Sequence, residues 1–120
     1  LGSSIAHDSH NLIVVGTDDY SIVKTMNQLI DQKGGIVVFE GSELYGLPLE
    51  IAGLMSHRSA EAVSEKLHNL TRMVEMLGCK LEAPFMTLSF MALPVIPELK
   101  ITDKGLFDVQ KFQYTTLEVD

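Results

Sequence analysis

The sequence predicts one small domain of the α/β class in its α+β form, a mixed β-sheet packed by two main helices. Three observations carry this reading. Short apolar runs stop at glycines, as at Leu12–Gly16 and at Ile36–Glu40 before Gly41. Two longer segments, Asp19–Lys33 and Ala60–Leu77, repeat apolar residues at helical spacing. The 120-residue length suits a single core, and a chain of this size buries roughly two-thirds of its unfolded surface.

In chain order, Leu12–Gly16 reads as a strand covered on both faces, because it is continuously apolar rather than alternating. Thr17 or Asp18 can cap the next segment by accepting from the free amides of its first turn. Ile22, Val23, Met26, Leu29 and Ile30 then share one face of a helix. Gly34-Gly35 ends it, since glycine takes the left-handed conformation without steric cost. Ile36–Glu40 and Glu43–Leu47 are strands joined by Gly41-Ser42, a two-residue hairpin turn. Pro48–Ser56 is apolar but broken by Pro and Gly, and is expected to lie as a loop over the core.

Ser56 or Ser59 can cap the second helix, whose Val63, Leu67, Leu70, Val74 and Leu77 form its core stripe, and Gly78 stops it. Met26, Met73, Met76 and Met91 read as gap-filling core residues. Phe85–Leu93 reads as an apolar strand, after which Pro94 and Pro97 force an extended segment. Thr102–Gly105 is a turn, and Phe107–Val119 is one or two strands with Val109 and Phe112 as core contacts.

Charge and composition remove several classes of function. A net charge of −7 argues against nucleic acid and anionic membrane surfaces, both of which require a basic face. No apolar run approaches the ~20 residues of a membrane span. The single cysteine, Cys79, excludes an intrachain disulfide and suits a reducing cytoplasm.

The densest chemistry lies in His7-Asp8-Ser9-His10-Asn11, directly before the first apolar run. His7 and His10 are spaced so that a helix or tight turn could bring them together. A metal site needs a third and usually a fourth ligand, and Asp8, His57, His68 and Cys79 form no second spaced pair with them. No metal ligand is therefore assigned in this chain. The alternative is that the loop's side chains bond local backbone. Asp8-Ser9-His10 holds the residue types of a hydrolase triad, but neighbouring side chains diverge where a triad converges. Cys79 follows a helix C-terminus, where the dipole disfavours a thiolate.

Four runs carry a more specific signal. Ser4-Ile5-Ala6-His7-Asp8-Ser9-His10-Asn11, Ile51-Ala52-Gly53-Leu54-Met55-Ser56, Pro84-Phe85-Met86-Thr87-Leu88-Ser89-Phe90 and Leu93-Pro94-Val95-Ile96-Pro97-Glu98-Leu99-Lys100 resemble, in order and spacing, the C-terminal domain of bacterial adenine deaminases in the amidohydrolase superfamily. The resemblance runs from Ser4 to about Val109, so residues 1–120 are expected to be one domain of that type.

Such enzymes convert adenine to hypoxanthine and ammonia in purine salvage, with a metal-activated hydroxide as nucleophile. The resemblance implies that manganese or iron is held by an upstream barrel domain carrying a His-x-His motif. This sequence has no His-x-His and no room for a barrel of about 250 residues. The chain, which opens on Leu1 without a Met, is thus expected to be a separated C-terminal domain, inactive alone and with no cofactor of its own. Its partners would be the upstream barrel, adenine as substrate of the whole enzyme, and possible further copies of itself. On this resemblance His7, Asp8 and His10 are supporting catalytic residues, and Ser9 and Asn11 contact substrate or fix the loop. Two alternatives stay open: a structural or oligomerisation module whose interfaces are Leu47–Met55 and Pro94–Leu99, and a small purine-binding domain.

Overall fold

A computed structural model of the chain describes residues 1–118. The fold is α+β, as expected, and the described residues form three helices and two sheets whose strand pairings are all antiparallel. The main sheet contains β1 (Gly2–Ser3), β2 (Ile13–Val14), β3 (Gly35–Glu40) and β4 (Glu43–Pro48), in the order β2-β1-β3-β4. The hairpin between β3 and β4 turns at Gly41, whose φ of +61° is the left-handed conformation such turns need.

Pairing register explains why the central strand is buried on both sides. Ser3 lies opposite Ile13 and Ile36, and Ile36 opposite Leu47, so these four side chains share one face. On that face Ile36, Val38 and Leu47 pack with Leu70 and Val74 of α2 (Ala60–Met76) and Phe85 of α3 (Pro84–Phe90). Full burial of each such aliphatic side chain contributes about 1.5–3 kcal/mol. Gly2, Val14 and Val37 form the opposite row, under α1 (Asp19–Asp31). A β-carbon on Gly2 would stand 2.8 Å from the Thr25 methyl and 2.9 Å from Leu29, so glycine sets how closely α1 approaches. Asp18 and Ser59 cap α1 and α2 by accepting from the Ser21 and Ala62 amides.

Several details depart from the sequence expectation. Phe85–Leu93 is not a strand: Pro84–Phe90 is helix α3, with Pro84 at its first turn, where the missing N–H costs nothing. Phe85, Leu88 and Ser89 then share a buried face at spacings of three and four. The run Leu12–Gly16 contributes only a two-residue edge strand, and Val15 is half exposed. On α1 the contact line passes through Thr25 and Leu29, leaving Val23 and Ile30 exposed. Thr25 tolerates this burial because its hydroxyl donates to the Ser21 carbonyl at 2.8 Å. Leu77, Met76 and Met91 are exposed rather than core.

Beyond the two prolines, β5 (Leu99–Thr102), β6 (Gly105–Asp108) and β7 (Gln113–Tyr114) form the second sheet. Val109 is partly buried, but Phe112 is 76% exposed and pairs edge-to-face with Phe107. Val119 lies outside the described residues.

Candidate functional site

The candidate loop grows out of a buried hydrogen-bond node. Ser4 Oγ accepts from the Gly35 amide at 2.7 Å and donates to the Gly53 carbonyl. Gly34 makes room for this node. It adopts φ +99°, and a β-carbon there would come within 2.6 Å of the Gly53 Cα. Ser3, also buried, accepts from the Ile5 amide at 2.9 Å. Three segments distant in sequence are thereby joined immediately upstream of His7.

From Ala6 onward the chain turns sharply. The His10 amide donates to the Ala6 carbonyl at 2.6 Å, and His10 takes φ +52°, a left-handed conformation rare outside glycine, asparagine, aspartate and histidine. The His7 amide donates to the Ser89 carbonyl at 3.0 Å, satisfying one of the carbonyls left open at the end of α3. The His7 ring stacks on Phe90, with centroids 5.1 Å apart and planes 28° apart. His10 approaches His7 edge-on, at 5.6 Å between centroids.

His7 is thus half-buried, whereas Asp8, Ser9, His10 and Asn11 are exposed. The only hydrogen bond among these four side chains joins Asn11 Nδ2 to Ser9 Oγ at 3.4 Å. An open apolar cleft of about 440 Å³ adjoins the loop. Ser9 and Asn11 stand at its rim; Leu12, Val14, Leu88, Met91 and Ile101 line its walls.

The loop therefore brings His7 and His10 together, but none of His57, His68 and Cys79 joins them. Among the described residues no three His, Cys, Asp or Glu side chains lie close enough to hold a metal ion. His57 has the partner that spacing did not reveal, Glu50 at 3.7 Å. The amide of Glu50 itself, the Ser56 hydroxyl and the nearby His57 hold the Glu50 carboxyl below its ordinary range. Cys79 packs half-buried against the main core. The places of Phe90 against His7 and of Met91, read from sequence as a core residue, beside the loop are not foreseen, because the α3 segment reads as a strand. Pro84, followed by apolar residues three and four apart, is the signal that could have found them. No helix among the described residues is long and apolar enough to cross a membrane.

Comparison with known families identifies what the chain is similar to. The family described as the adenine deaminase C-terminal domain matches residues 1–113. The chain belongs to that family. It is 56% identical over 120 residues to a protein named adenine deaminase from Methanosarcina mazei, covering all of this chain and 22% of the relative. An adenine deaminase from Archaeoglobus fulgidus is 50% identical over 120 residues, again covering all of this chain and 22% of the relative. One from Bacillus pumilus is 49% identical over 120 residues, covering 98% of this chain and 21% of the relative. The relatives are thus archaeal as well as bacterial. The chain spans about a fifth of the length of the curated relatives it matches. No solved structure matches the chain.

Proposed function

We propose that this chain is the C-terminal domain of an adenine deaminase. The whole enzyme hydrolyses adenine to hypoxanthine and ammonia, serving purine salvage in the cytoplasm. The single observation that carries this reading is a chain of the deaminase family whose densest polar loop is exposed beside an open cleft.

Following the family resemblance, the manganese or iron belongs on the upstream barrel domain. Bound there, it would contribute Lewis-acid activation of the attacking water and of the purine. This chain's part is to complete or shield that site. Imidazole both donates and accepts protons near neutral pH, which suits His10 to proton handling at the substrate, with Asp8 beside it. His7, held against Phe90, supports catalysis by anchoring the start of the loop. Ser9 and Asn11 bond the purine or hold the loop at the cleft rim. The isolated domain is inactive.

A docking or oligomerisation module is the second reading, favoured by the exposed apolar side chains of Ile51, Met55, Val95, Ile96 and Leu99. His10→Ala in the full-length enzyme separates the two. The catalytic reading expects turnover to fall by about a hundredfold or more, with folding and metal content unchanged. Normal turnover leaves only the docking role. The same assay on this domain alone, with manganese or iron supplied, is expected to yield no hypoxanthine; measurable turnover overturns the division of labour between domains.

A further inference from the structure

We infer that the apolar cleft beside β2 is the seat of the upstream part of the longer protein, which fills it with an extended apolar segment. This inference rests on the reading that the domain works within a longer deaminase. It does not depend on the roles given to His7 or His10.

The cleft's position carries the argument. Ile13 and Val14, the two residues of β2, both line it, although successive residues of a strand point to opposite faces, and the flanking Leu12 and Val15 line it as well. A cavity touched by both sets lies along the strand's edge rather than over one face. β2 is an end strand of the main sheet, with no strand paired beyond it among the described residues. An open edge beside apolar walls is the arrangement that accepts an added strand, whose backbone bonds the edge while its side chains fill the pockets. Across the cleft, β5 is the end strand of the second sheet, tethered to α3 by the Ile101 amide on the Met91 carbonyl at 3.0 Å. Ile101 and Met91 remain 54% and 42% exposed.

The occupant follows from what lies outside this chain. The relatives extend over roughly five times its length, and the family is a C-terminal one, so the remainder precedes this domain. The cleft shares Ser9 and Asn11 with the candidate loop. A segment of the preceding domain seated there brings the loop to the seam between the two domains. A second copy of the chain would fill the cleft without that consequence.

Methionine oxidation in the wild-type full-length protein tests this without any substitution, with the site of oxidation read by peptide mass spectrometry. Oxidation follows exposure, so Met91 should react about tenfold or more slowly than in the denatured chain, at every protein concentration. A native rate within about threefold of the denatured one means an open cleft and overturns the inference. Protection that disappears on dilution assigns the cleft to a second copy, and overturns it equally. Because this readout involves no catalysis, it can fail while His10→Ala still abolishes turnover, and the reverse.

Discussion

Ser3-Ser4 and Asp8–Asn11 are neighbouring polar stretches that the fold treats in opposite ways. The first is buried, and its hydroxyls are bonded to backbone groups from its own and two other segments. The second is exposed, with one long side-chain hydrogen bond within it. Polarity alone does not distinguish an anchor from a working surface; the accounting of hydrogen bonds does. Ser4 replaces water for two buried backbone groups. The side chains of Asp8 and His10 make no hydrogen bond within the described residues, which leaves them free for a ligand or another domain.

Ser4→Ala is the largest expected break in this comparison. It strips a partner from the Gly35 amide and the Gly53 carbonyl inside the fold, at a cost of roughly 2–3 kcal/mol. Denaturant unfolding of the variant measures it. A change below about 0.5 kcal/mol would mean that water reaches the node and that Ser4 is no anchor.

Asp18 sharpens the comparison by separating bonding from burial. Its carboxylate is exposed, yet Ser21 bonds it twice, through the hydroxyl at 2.7 Å and the amide at 2.8 Å. The Ser21 hydroxyl and then its amide hold the Asp18 pKa below the ordinary carboxylate value. The unfolded chain therefore binds this proton more readily than the folded one. The stabilisation is complete above the unfolded pKa of about 3.9 and is lost as pH falls through the lower, folded value. The stability gap between the wild type and Asp18→Ala should be constant near neutral pH and shrink below about pH 4. For Asp18→Asn, which caps without titrating, the gap to Asp18→Ala should stay level. If the wild-type gap is equally flat, the cap owes nothing to its charge.

These distinctions mark where the sequence was readable. Caps at Asp18 and Ser59 and the Gly41-Ser42 turn depend on residues within a few positions, so local chemistry sufficed. β1 escaped because Gly2 and Ser3 carry no strand propensity; their pairing is imposed by Ile36 and Val37, more than thirty residues away. Helix α3 reads as a strand because a short run of aromatic and aliphatic residues fits either period, and Pro84 at its head is the one local sign of a helix start. The candidate loop stood out for its density of ionisable groups. Phe90 under His7, and the cleft beside Ser9 and Asn11, are products of tertiary structure alone.

The smallest expected effect on stability bears most directly on function. If Asp8–Asn11 is a working surface, truncating it should scarcely disturb the fold. The double substitution Ser9→Ala with Asn11→Ala removes one 3.4 Å hydrogen bond between exposed groups, so stability should stay within about 0.5 kcal/mol of the wild type. In the full-length enzyme the same pair should weaken turnover or raise KM if, as proposed, Ser9 and Asn11 bond the purine from the seam between the domains. A loss of more than about 1 kcal/mol would move the loop into the class of Ser4, as an anchor of the fold. Unchanged stability together with unchanged kinetics would confine the loop's contribution to His7, Asp8 and His10.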